Sequence, residues 1–94
     1  MPLTRQVGFK AVIGKGNRIQ IPNIIRWEFK LEPTQLLAIN IRHFSLATDE
    51  TFFAKMTKDG RITVPKINAA IMKARIAKDA TLGEYAFEIT LRPE

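Results

Sequence analysis

Asn17-Arg18-Ile19-Gln20-Ile21-Pro22-Asn23-Ile24 returns 43 residues later as Gly60-Arg61-Ile62-Thr63-Val64-Pro65-Lys66-Ile67. At the same offset Phe9 meets Phe52, Ala11 meets Ala54 and Lys15 meets Lys58, so seven of the sixteen positions in 9–24 recur in 52–67. A repeat of this kind decides the fold before any local propensity does. The chain is two copies of one small unit.

Working outward, the apolar residues before the first turn alternate. Val7, Phe9, Ala11 and Ile13 share one face and Gln6, Gly8 and Lys10 the other, the period of a half-buried strand. Gly14-Lys15-Gly16-Asn17 reads as a turn, and Ile19 and Ile21 resume an inward face with Arg18 and Gln20 outward, so 6–22 is a β-hairpin. Pro22 ends the strand and suits the first turn of a helix, expected from Asn23 to Lys30 with Ile24, Trp27 and Leu31 at helical spacing and Ile25 and Phe29 beside them. Residues 36–42 alternate again, with Leu37, Ile39 and Ile41 inward. The unit is ββαβ.

The second unit repeats the order. Phe52, Ala54 and Met56 face inward, Thr57-Lys58-Asp59-Gly60 turns, and Ile62 and Val64 face inward again. The helix after Pro65 carries an Ile67, Ala70, Ile71, Ala74 stripe expected to be its buried face, with Lys66 and Lys73 on its flank. Asp79 to Gly83 reads as a loop. The last strand, Tyr85 to Leu91, sets Phe87, Ile89 and Leu91 against Leu37, Ile39 and Ile41 at an offset of 50, a seven-residue insertion around the second helix. The internal repeats are 5–42 and 51–92. The linker is 43–50, where Phe44-Ser45-Leu46 could add a short strand.

Ninety-four residues suit a single domain, 1–94, in which two half-length copies share one core. Six strands with one buried face each are best satisfied by a mainly β, six-stranded closed barrel with two short helices, because closure removes exposed sheet edges. Cysteine is absent, which excludes disulfides, thiolate nucleophiles and cysteine-ligated metals. His43 is the only histidine, so a metal site built on several histidines cannot be assembled. Glu84 and Glu88 share the outward face of one strand and read as solvated. No cofactor and no enzymatic activity are expected. No apolar run approaches a membrane span and no signal-peptide pattern opens the chain, so a cytoplasmic location is expected.

The formal net charge is +6. Residues 1–47 hold seven Lys/Arg against two Glu, and residues 48–94 hold eight against seven Asp/Glu. This balance points to a polyanionic partner, although it also serves solubility.

Lys15 through Arg26 resembles the SpoVT/AbrB signature, in which a basic residue, a glycine and an alternating β-branched strand precede a proline and a short helix. Lys58 through Ile67 is a second match, so the resemblance covers nearly the whole chain as two tandem copies. In that family ββαβ units pair into a swapped-hairpin barrel that binds DNA, and here both units lie in one polypeptide, as in the MraZ branch. The chain thus resembles a fused pseudo-dimer. The related cradle-loop barrels, including the RIFT type of archaeal CTP-dependent riboflavin kinase, use two ββαβ units without exchanging hairpins, and periodicity leaves both arrangements open. The resemblance implies a transcriptional regulator bound to double-stranded DNA, as a monomeric pseudo-dimer or a homodimer.

Residue by residue, the arginine four before the proline is Arg18 and Arg61. The arginine four after it is Arg26, with Ala69 in the second copy. The basic residue of the first strand is Lys55, with Val12 in the first copy, and the glycine before the arginine is Gly60, replaced by Asn17. Lys15 and Lys58 add charge at the turns. Candidate DNA contacts are therefore Lys15, Arg18, Arg26, Lys55, Lys58 and Arg61. Against this stands a solvated basic strand edge that blocks edge pairing. Two other functions remain open: an antitoxin-like protein-interaction module, of the kind that in the resembling family usually carries a C-terminal toxin-binding tail, and a non-catalytic relative of the ligand-binding cradle-loop barrels. Trp27 and Phe29 read as core or cap residues. Phe53, on an outward strand position, packs under a helix or linker or marks an association surface.

Overall fold

The computed structural model describes residues 6–43, 48–76, 83 and 85–93. In order these give β1 (Val7–Val12), β2 (Arg18–Gln20), α1 (Asn23–Glu28), β3 (Leu36–His43), β4 (Thr48–Lys55), β5 (Arg61–Thr63), α2 (Lys66–Lys73) and β6 (Ala86–Pro93). The expected extra strand at 44–46, most of the 79–83 loop and Glu84 lie outside the described residues.

The strands form two antiparallel sheets, a four-stranded one ordered β1-β6-β3-β4 and a two-stranded one, β2-β5. The single closed six-stranded ladder expected from the sequence is not what forms. The arms of each hairpin do not pair along their length, because β2 and β5 pair with each other while β1 and β4 join the larger sheet. Gly14 N–H donates to Arg18 O and Thr57 N–H to Arg61 O, each at 2.8 Å. The arms then diverge into different sheets.

Register makes the repeat a spatial symmetry. Ile19 pairs with Ile62, its own counterpart, while Arg18 pairs with Thr63 and Gln20 with Arg61. Ile21 N–H donates to Gly60 O at 2.8 Å and, equivalently, Val64 N–H donates to Asn17 O at 2.7 Å. In the larger sheet Asn40 faces Thr90 across the same pseudo-twofold axis. The Phe9–Ile89 pair of β1 and β6 maps onto the Phe52–Ile39 pair of β4 and β3. Every ladder therefore joins one copy to the other.

Between the sheets lies the core expected from the alternation. Ile13, Ile19, Ile21, Leu37, Ile39, Ile41, Phe52, Met56, Ile62, Val64, Phe87, Ile89 and Leu91 are buried in one cluster. The helices depart from expectation. α1 ends at Glu28 and buries no residue; Ile24 and Trp27 are 68% and 82% exposed, while Ile25, Phe29 and Leu31 pack partly on the core. In α2 the buried residues are Ala69 and Met72, and Ile67 is 71% exposed. The sequence holds two rival stripes here, and the one carrying Ala69, Met72 and Ile76 wins. Ala69 allows close approach and Met72 supplies the longer, more adaptable side chain. Phe53 is 60% exposed on edge strand β4, so it does not pack under a helix.

Candidate nucleic-acid interface

Each copy presents its arginine by the same local logic. Inward Ile19 and Ile62 are fully buried, and strand alternation turns their neighbours outward. Arg18, Gln20, Arg61 and Thr63 are thus the exposed face of the β2-β5 ribbon. Arg18 and Arg61 lie on a diagonal of it, with α-carbons about 7–8 Å apart in such pairing. Lys15, Arg18 and Arg61 line an open cleft of about 580 Å³ with Val12, Gly14, Gly16 and Gln20.

Lys58 and Lys55 are exposed but do not line that cleft. They are the counterparts of Lys15 and Val12, and so occupy the matching positions across the pseudo-twofold axis. Lysine for valine adds a positive charge to the second side, and Asp59, where the first copy has Gly16, cancels it in formal charge.

Arg26 is the candidate that departs. It is half-buried, its Nη2 donates to Asn23 Oδ1, and its Nε is buried without a hydrogen-bond partner. Its guanidinium lies directly against the α-carbon of Gly60, occupying the space a Cβ there would need. Gly60 is buried with φ +80°. In the other copy Asn17, at φ 58°, takes the same left-handed turn position, and the helix residue facing the repeat is Ala69, buried at 2% exposure. Asparagine tolerates that backbone region better than most side chains. The two departures from exact repetition are therefore one: arginine on α1 goes with glycine in the turn, and alanine on α2 goes with asparagine. Arg26 packs the copies together instead of standing free for a ligand.

The fold is similar to that of a solved protein. PHS018 from Pyrococcus horikoshii, known from a solution structure, matches with a TM-score of 0.73 and 19% identity over 99% of this chain and 94% of that one. At that identity the likeness shows a shared fold and says nothing of activity. No family model matches the chain, and no curated protein does.

On the outer face of the large sheet, most charges alternate in sign, with exposed Arg92 beside them. Across the outer face of the large sheet, register sets Lys10 beside Glu88, Glu88 beside Arg42 and Arg42 beside Asp49, a row of alternating sign. Arg42 Nε lies 3.9 Å from Asp49 Oδ2, and Asn40 Nδ2 donates to Asp49 Oδ1 at 2.6 Å and to Thr51 Oγ1 at 3.0 Å. Such a row gives little net field.

Among the described residues no group of three His, Asp or Glu is placed to hold a metal, and no helix is long and apolar enough to cross a membrane. His43 lies edge-on to Phe87 and Tyr85, ring centroids 5.5 and 5.8 Å away. Sequence reasoning missed Gln20 as a site residue. Gln20 Nε2 donates to Asp59 O at 3.1 Å and to Ile21 O and Gly60 O at 3.2 Å, while Arg61 Nε donates to Gln20 Oε1 at 3.1 Å. The available signal was its counterpart: an amide at 20 where the second copy has the hydroxyl of Thr63.

Proposed function

We propose that this chain is a duplex-DNA-binding protein of the AbrB-like kind, a transcriptional regulator acting in the cytoplasm as a monomeric pseudo-dimer or a homodimer. The observation that carries the reading is the exposed β2-β5 ribbon, which presents Arg18 and Arg61 symmetrically about the pseudo-twofold axis with Lys15 and Lys58 at the flanking turns. A two-stranded ribbon fits the major groove, where arginine can bond base edges. The lysines neutralise phosphates and fix position. Because the arginines stand so close, they address one continuous stretch of groove, unlike half-sites one helical turn apart. In this reading the two sheets are the walls of a cradle-loop barrel of two ββαβ repeats, joined at their corners by the single Gly14–Arg18 and Thr57–Arg61 contacts. The role is binding, not catalysis.

Fluorescence anisotropy with duplex DNA across a salt series tests it. Wild type is expected to bind with a steep salt slope, and Arg18→Ala with Arg61→Ala to weaken binding and flatten that slope, by about one unit per lost phosphate contact, with circular dichroism unchanged. A protein partner is the second reading, supported by the exposed Ile24, Trp27 and Ile67 on the two helices. Failure of the wild type to bind duplex at low salt would turn the assignment to that reading.

A further inference from the structure

The two ribbon arginines are not equivalent, although the repeat makes their positions so. Gln20 is held by its own amide: the two N–H groups of Nε2 are shared among the carbonyls of Ile21, Asp59 and Gly60, all within 3.2 Å, which leaves Oε1 aimed at Arg61. Arg61 donates Nε to it at 3.1 Å, so one of its five N–H groups is fixed while its terminal Nη fork stays free. Arg18 is paired with Thr63, whose side chain is too short to repeat this brace. Among the described residues, no side chain is hydrogen-bonded to Arg18. The carbonyls a longer side chain at 63 would need, those of Gly16 and Asn17, are the counterparts of Asp59 and Gly60. Asn17 O already accepts Val64 N–H as Gly60 O accepts Ile21 N–H.

From this asymmetry, and resting on the DNA-binding reading above, we infer that Gln20 is a positioning residue that aims Arg61 as a base reader, so that the protein selects an asymmetric duplex site with one guanine at the position facing Arg61. A guanidinium braced at Nε offers two parallel Nη donors to the O6 and N7 of guanine, the bidentate pairing that discriminates among bases in the major groove. The unbraced Arg18 has freedom to follow a phosphate, which carries no sequence information.

The test is enrichment of randomised duplexes on the full chain, followed by anisotropy titrations of the enriched duplex and its single-base variants over a salt series. Wild type should enrich a non-palindromic site and lose about tenfold or more in affinity when its guanine is replaced. Gln20→Met, which keeps length and removes the acceptor, should cut that discrimination several-fold, to about twofold, while leaving the salt slope unchanged. Arg18→Ala should do the reverse: a flatter slope with the base preference intact. Thr63→Gln should brace Arg18 in turn and shift enrichment toward a palindrome. Retention of the guanine preference by Gln20→Met, or a palindrome enriched by wild type, would overturn the inference. Wild-type binding with no base preference would overturn it while leaving the DNA-binding reading intact; no binding of any duplex at low salt would overturn both.

Discussion

Gly60 and Arg26 are predicted to be energetically coupled, because the guanidinium occupies the space above the glycine α-carbon. Gly60→Asn installs the residue that the first copy uses at the same turn position, so the backbone strain at φ +80° is modest. The new side chain must displace the far end of Arg26, a flexible half-buried side chain, so the cost is the loss of its packing, about 1 kcal/mol. Arg26→Ala alone loses the packing of a half-buried side chain, about 1 kcal/mol. Together the two changes rebuild the Asn17/Ala69 arrangement of the other copy, and the double variant should recover most of the clash. Urea unfolding of the four proteins gives the interaction term directly, expected at about 1 kcal/mol in favour of the pair. In a domain of this size that is a Tm difference on the order of 4–8 °C. If the single changes add to within about 0.5 kcal/mol, the size complementarity is not what links these sites. The same cycle using Gly60→Ala should start from a lower stability, since alanine bears a left-handed penalty of about 1–2 kcal/mol.

The choice between the two α2 stripes predicts that Met72→Ala costs about 2–5 kcal/mol, whereas Ile67→Ala stays within about 0.5 kcal/mol; equal losses in thermal unfolding would restore the Ile67 face to the core. Trp27, at 82% exposure, should emit as a solvated indole and be quenched by iodide in the native state about as strongly as in urea. Because every ladder joins the copies, polypeptides 1–47 and 48–94 should each be unfolded by circular dichroism and regain strand signal when mixed. A cooperative transition in either half alone would contradict the pairing. Ile39→Ala, in a strand hydrogen-bonded on both sides and fully buried, should lose about 2–5 kcal/mol.

Much of this was legible because strand alternation is a strong signal and the chain states it twice. The inward sets Leu37, Ile39, Ile41 and Phe87, Ile89, Leu91 are buried as read, and Pro22 and Pro65 do stand at the helix starts. Which helix face turns inward was not legible. On so short a helix two stripes a single position apart have similar apolar content, and the path of the chain after the proline decides between them. Sheet closure was not legible either, since periodicity assigns strands to a face but gives no partner. At the candidate site, the outward arginines followed from their buried isoleucine neighbours, whereas the pairing of Arg26 with Gly60 joins residues far apart in sequence. The same holds for Gln20 and Arg61, which meet only through the β2-β5 register.

The interleaving of the copies has a consequence for how the chain is made. β6 lies between β1 and β3, so β1 has no sheet partner until Ala86–Pro93 has been synthesised. The ribbon likewise waits for β5. A nascent first copy therefore carries unpaired strand edges and exposed isoleucines until the second copy has been made, and the charges of its outward positions help keep it from associating with its neighbours. On this view the lysines and arginines of residues 1–47 serve the growing chain before they serve any ligand. The duplication gives a symmetric molecule but no half that can fold first.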